Sequence, residues 1–299
     1  MYRIEGKYGR APIRSLKALE VSQLDLDGRI KRYLVSRKPD ISNDVCKALE
    51  LRASRDLNAA NLFSRIQVAT CLERDLKIHF AENGTHSVFF VTLISELHAV
   101  KVREQNGYDL VAHRKWIASL LKGCDYVGVI EPAYYPEAAF VAPREDWISW
   151  HAHVIVWNNG APAMKKLKDT VNQIEVAFRP DGSAFHYRKA QHAEIEAEVA
   201  YMFKSPRSEY RTYNASPVAE DSQAPARSRQ TTISGIKQNK REIRTGKLLA
   251  VLSALSDKSI KSITVAGGAG KAIRKHSLKA ARQALVDEHA KRKRLLLNL

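Results

Sequence analysis

An α+β fold built on one antiparallel sheet is predicted by three features of the sequence. Short β-branched and aromatic runs alternate with longer stretches of three- and four-residue apolar spacing between residues 87 and 206. Turn residues separate these runs, at Gly123, Pro132, Asn158-Asn159-Gly160 and Gly182. The chain has 299 residues with 44% hydrophobic content, enough for a sizeable core.

Residues 88–94 read as the first strand. Residues 99–122 read as a helix closed by Gly123. Residues 126–131 form a second strand stopped by Pro132, and a loop with Tyr134, Tyr135, Pro136, Pro143 and Arg144 leads to a third strand at 148–157. Pro162 opens a helix to about residue 176. Residues 184–189 are a fourth strand, and residues 194–204 a last helix that ends before Pro206. The order βαββαβ plus a helix is the ferredoxin- or RRM-like arrangement. It predicts an antiparallel sheet with helices on one face.

The flanks read differently. Residues 15–82 are helical in pattern, with Ser42-Asn43-Asp44 as a cap before the run 41–80 and Asn83-Gly84 as a stop. Residues 207–236 are rich in Ser, Pro, Ala, Arg and Gln and read as a linker. Residues 237–256 and 271–299 read as two basic helices around Ala266-Gly267-Gly268-Ala269-Gly270-Lys271. That piece is not a P-loop, because Val265 and Ala272 stand where a glycine and a Ser or Thr are needed. The expected organisation is a helical extension (1–84), a strand-and-helix domain (85–206), a linker (207–236) and a basic helical tail (237–299).

The net charge is +17, and from Pro225 onward 18 Lys and Arg stand against 4 Asp and Glu. This concentration points to an acidic partner, nucleic acid before membrane. No apolar run is long enough to span a bilayer, and residues 1–14 lack the apolar core of a secretory signal. Cys46, Cys71 and Cys124 have neither zinc-like spacing nor a disulfide framework. A cytoplasmic protein is expected.

The chemistry centres on Trp147-Ile148-Ser149-Trp150-His151-Ala152-His153-Val154-Ile155-Val156-Trp157. Strand side chains alternate, so His151 and His153 share one face and are spaced to hold one metal ion. Glu131 ends the preceding strand. If the two strands pair as a hairpin, it adds a carboxylate suited to a hard ion, Mg²⁺ or Mn²⁺. Tyr201 and Lys204 sit three residues apart on one helix face, so a cation stands beside a phenol that ordinarily titrates at about 10. Thr92 either orders the metal site or simply pairs in the sheet. Trp150 and Trp157 are candidates for base stacking or for core packing. Tyr187 is expected in the sheet, Tyr210 and Tyr213 in the linker, and His186 and His192 on the surface.

A strand with a threonine, a His-hydrophobic-His strand and then Tyr-x-x-Lys on a helix together resemble the HUH endonucleases, over roughly residues 87–206. Within them the likeness is to rolling-circle replication initiators of plasmids and single-stranded DNA phages. Ile94 departs from the pattern, since many relatives have a second threonine there. The resemblance implies a metal-dependent, strand-specific DNA nicking and strand-transfer enzyme. Tyr201 would form a covalent 5′-phosphotyrosine, with Lys204 beside it and His151, His153 and Glu131 on the metal. Single-stranded and origin duplex DNA, and a host helicase or polymerase, are the implied partners. A relaxase or single-strand transposase of the same superfamily, or a non-catalytic RRM-like binding protein, are the alternative readings.

Overall fold

The computed structural model describes residues 13–37, 49, 57–84, 87–180, 182–214 and 235–297. The expected cap at Ser42-Asn43-Asp44, and Cys46, lie outside them. The first elements described in full are the helices α1 (Leu16–Arg37) and α2 (Leu62–Asn83). Asn61 caps α2 by accepting from the Ser64 amide, and Gly84 ends it with a positive φ. Then follow β1 (Val88–Lys101), a 3-10 segment (Val102–Gly107), α3 (Leu110–Leu120), β2 (Asp125–Tyr135), β3 (Trp147–Trp157), α4 (Ala161–Ile174), β4 (Phe185–Ala190) and α5 (Ile195–Met202). The expected strand and helix order is present.

Three stretches differ from the sequence reading. Residues 99–101 are strand, not helix. Residues 95–98 bulge out of β1, the register slips between Ile94 and Ala99, and pairing with β3 then resumes. A four-residue bulge hides the alternation from which a strand is read. Second, β2 runs through Pro132 to Tyr135. Pro132 falls on an edge stretch between the partners of Tyr126–Val129 and of Tyr134, where a missing N–H leaves no bond unmade.

The third difference is the largest. The stretch read as a linker contributes β5 (Ser208–Asn214), and residues 237–242, read as the start of a basic helix, are strand in β6 (Ile236–Glu242). The stretch read as a separate tail is part of the core. It forms α6 (Thr245–Ser256), one turn α7 (Ile260–Ile263), β7 (Thr264–Gly267) and α8 (Gly270–Leu297). Leu248, Val251, Leu252 and Leu255 of α6 are buried, as are Ile273, Ala281 and Leu285 of α8. In α8 the inward positions recur every four residues, while Lys271, Lys275 and Lys279 lie exposed on the opposite side. Net basic charge therefore coexists with an amphipathic, core-forming helix. Gly270 is required where it stands, because a Cβ there would strike the Tyr126 carbonyl.

Among the described residues seven strands form one mixed sheet. Its main order is β4-β1-β3-β2-β5-β6, with β7 also on β2. The four strands from β4 to β2 are antiparallel to their neighbours, whereas β5 meets β2 in parallel at Tyr134↔Glu209. The outer edge of β2 is thus shared by β7 and β5. Both sheet faces are covered, whereas the sequence reading expected helices on one face only. On the Trp150 face, Tyr108 just before α3 stacks on Trp150 at 4.6 Å, and Asn172 of α4 bonds the Phe185 backbone. On the His151 face lie α2, whose Phe80 meets Trp157 edge-on, and α5, whose Tyr201 meets Phe90. No described helix is long and apolar enough to cross a membrane.

Candidate metal centre

The pairing of β3 with its neighbours assembles the site. Glu131 of β2 is directly opposite His151, and Thr92 of β1 is directly opposite His153. All four therefore face the same side of the sheet. His151 Nε2 lies 3.1 Å from Glu131 Oε1, His153 Nε2 lies 3.0 Å from the same oxygen, and the two Nε2 atoms are 3.2 Å apart. Among the described residues this is the one His/Cys/Asp/Glu group whose ligand atoms converge, within 4.8 Å of one another. All three side chains are buried.

The donor set fits a divalent cation. Neighbouring ligands at right angles around an ion, each about 2.1 Å away, are about 3 Å apart, which is the spacing seen here. The outer nitrogens are anchored. His153 Nδ1 lies 3.0 Å from Thr92 Oγ1, and His151 Nδ1 lies 3.4 Å from the Ser149 carbonyl. With an ion bound, a proton on each outer nitrogen would leave the inner lone pair to the ion, in place of the hydrogen bonds to Glu131. Burial, assisted by the Lys204 cation, pushes His153 down to about 3, so its imidazole is neutral, as a ligand must be. Burial opposes charge on Glu131. The Lys204 ammonium and the hydrogen bonds from both histidines outweigh it and hold the carboxyl well below the usual range. Among the described residues the second carboxylate oxygen of Glu131 has no hydrogen-bond partner.

Tyr201 and Lys204 come to this cluster from α5 and the turn after it. The Tyr201 ring is 4.9 Å from that of His153 and 5.8 Å from that of Phe90. Lys204 bonds Glu131 Oε1, and its ammonium sits 3.8 Å from the Tyr201 ring centre. A cation, a phenol and three metal-type ligands thus cluster, and all five candidate residues are together.

The structure also separates candidates. Trp150 and Trp157 are fully buried, which makes both core residues rather than base-stacking platforms. Tyr187 packs against Phe89 in the sheet. Tyr210 is a strand residue stacked on Tyr135 at 5.2 Å, and Tyr213 is an exposed one. His186 is exposed, and His192 is half-buried against Phe80.

Sequence reasoning missed Arg65 of α2. It is fully buried, donates to Ala59 O at 2.6 Å and to Lys204 O at 3.1 Å, and lies in the field of Glu131. It ties the end of the Tyr201 helix to the N-terminal helices. Its partner is 139 residues away, and no local pattern marks such a contact. Comparison with protein-family models, with curated proteins and with solved structures found no match of any of the three kinds.

Proposed function

We propose that this chain is a metal-dependent DNA nicking and strand-transfer enzyme of the HUH type, acting as an initiator of rolling-circle replication on single-stranded DNA. The observation that carries the reading is Tyr201 packed against His153, with Lys204 bridging the phenol ring and Glu131. A nucleophile beside a candidate metal centre is what phosphodiester transfer needs. A purely binding RRM-like module has no use for three buried convergent ligands. The order β4-β1-β3-β2, with α3 and α4 on the Trp150 face, is consistent with the ferredoxin-like unit expected from the sequence.

The chemistry follows from the residues. Tyr201 attacks phosphorus, the bond to O3′ breaks, and the 5′-phosphate remains on the phenol oxygen. The departing O3′ takes up a proton, and the phenol proton passes to solvent. Lys204 places positive charge beside the phenol and the phosphate, favouring the anionic transition state. Bound Mg²⁺ or Mn²⁺ would supply Lewis-acid polarisation of a nonbridging oxygen. Attack by a 3′-hydroxyl on the phosphotyrosine reverses the step, so ends rejoin without a nucleotide cofactor. Lys271, Lys275 and Lys279 of α8 are exposed and would hold phosphate backbone.

The test is a mixed-sequence single-stranded oligonucleotide pool incubated with the protein and Mn²⁺, followed by peptide mass spectrometry. The expected product is a nucleotide adduct on the Tyr201 peptide, absent in Tyr201→Phe and in His153→Ala. An adduct on Tyr187, Tyr210 or Tyr213, or cleavage undiminished in both variants, would overturn the reading.

A further inference from the structure

We infer that the outward face of the β5–β6 ribbon is a docking surface for duplex DNA, separate from the metal centre. This rests on the reading that the chain acts on DNA.

Glu209, Arg211 and Tyr213 of β5 pair with Arg241, Asn239 and Lys237 of β6, so these six residues alternate onto one ribbon face. The Glu209 side chain is 2% exposed, and its Oε1 accepts from Arg211 Nε at 3.0 Å and from Arg241 Nε. Two guanidinium groups are therefore anchored on one buried carboxylate. Each uses its inner nitrogen there, which leaves its outer nitrogens for a ligand. The Arg211 and Arg241 side chains are 43% and 36% exposed.

One carboxylate cannot neutralise two guanidiniums, and Lys237 adds a third exposed cation on the same face. Glu209 is the single acid among these six residues. The patch is thus a fixed cationic clasp flanked by Tyr213, 49% exposed, and the exposed amide of Asn239. Guanidiniums held by one edge suit phosphate oxygens, which take parallel N–H donors.

The geometry favours duplex over single strand. Two strands about 5 Å apart, with their side chains, match a groove about 12 Å wide. Single-strand surfaces need successive aromatic platforms, and this face has one. The face is also turned away from the triad. Glu209 is opposite Tyr134, whereas Tyr210, on the reverse side of the ribbon, stacks on Tyr135, which shares the sheet face of Glu131. A duplex on the ribbon and a single strand at Tyr201 can be held at once.

The experiment uses the full-length protein in EDTA, with a short duplex and a single strand of the same sequence, from about 50 to about 200 mM salt. Lys237→Ala and Tyr213→Ser change exposed side chains only. Arg211→Ala and Arg241→Ala, made singly, each leave Glu209 one partner. The log–log salt slope for duplex is expected to fall by about 0.9 for each phosphate that a variant no longer neutralises. Single-strand binding in EDTA, and adduct formation at Tyr201 with Mn²⁺ restored, should stay at wild-type level. Unchanged duplex slopes in all four variants would overturn the assignment, as would equal weakening on duplex and single strand. Failure of the catalytic reading shows separately, as absence of any adduct while ribbon-dependent duplex binding persists.

Discussion

Thr92 Oγ1 lies 3.0 Å from His153 Nδ1, across a directly opposed residue pair of β1 and β3. The contact turns an inconspicuous strand threonine into the residue that aims a metal-type ligand. It fixes which ring nitrogen faces Glu131. Thr92→Val keeps shape and strand preference but removes the oxygen. Affinity for Mn²⁺, read by titration calorimetry, is expected to fall about 10–100-fold. Unchanged affinity would mean that stacking of His153 on Phe90, with ring centres 5.5 Å apart, orients the ring by itself.

Lys204 is expected to act in opposite directions on binding and on chemistry. Its ammonium is bonded to the same Glu131 oxygen that faces both histidines. A cation entering the triad must displace or face it. Lys204→Met should therefore tighten Mn²⁺ binding while lowering the rate of adduct formation at saturating metal. A variant that loses both would show Lys204 to be a structural support for Glu131.

The triad is legible in the sequence because it depends on short-range rules. Alternation puts His151 and His153 on one face, and a hairpin register brings Glu131 opposite. Tyr201 and Lys204 are legible as a helix-face pair, though Lys204 in fact lies just beyond α5. What the sequence hides depends on distant partners. Arg65 finds Lys204 O from another layer, and the bulge at residues 95–98 is held by Val176 O and Glu175. Polar composition around residues 207–236 reads as a linker, because a ribbon at a sheet edge needs few apolar side chains. The charge of residues 237–299 masks helices whose inward positions are apolar.

A stacked histidine pair on the opposite face gives a pH dependence. His98 and His113 have ring centres 3.8 Å apart, and both are buried. Burial pushes His98 down to about 4, and it pushes His113 well below its ordinary value, with His98 adding to that. Both are neutral in the folded chain, while the unfolded chain protonates them near 6.5. Stability is therefore full above pH 6.5 and declines as pH falls towards 4, by at most about 1.4 kcal/mol per pH unit for each ring. Glu198, whose carboxyl burial pushes up, works in the opposite sense in the acid part of this window. Urea unfolding across the window should show the decline, and His113→Leu should flatten it. Leaving Tyr108 without its 2.5 Å partner adds a cost that does not vary with pH. An equal slope in the variant would show that other groups carry the effect.

The C-terminal quarter separates a structural role from a charge role. A basic tail behind a linker would be dispensable, and a chain ending near Arg207 would keep its sheet. Here that cut removes β7 from Tyr126–Val129 and strips α8 from α2, where Ser277 Oγ and His276 Nδ1 bond Asp75 at 2.7 and 2.8 Å. It also removes the buried leucines of α6. The truncated chain is expected to lose cooperative unfolding. Leu252→Ala in the full chain should cost about 2–5 kcal/mol by the cavity it leaves. Truncation therefore cannot test DNA binding. Lys271→Gln, Lys275→Gln and Lys279→Gln together can, because these side chains are exposed on the outer side of α8. Thermal stability should be unchanged within error. The salt slope of binding to nucleic acid should fall by about 0.9 for each lysine that meets a phosphate. A melting temperature and a slope both equal to wild type would remove α8 from the nucleic-acid surface and leave its charge to another acidic partner.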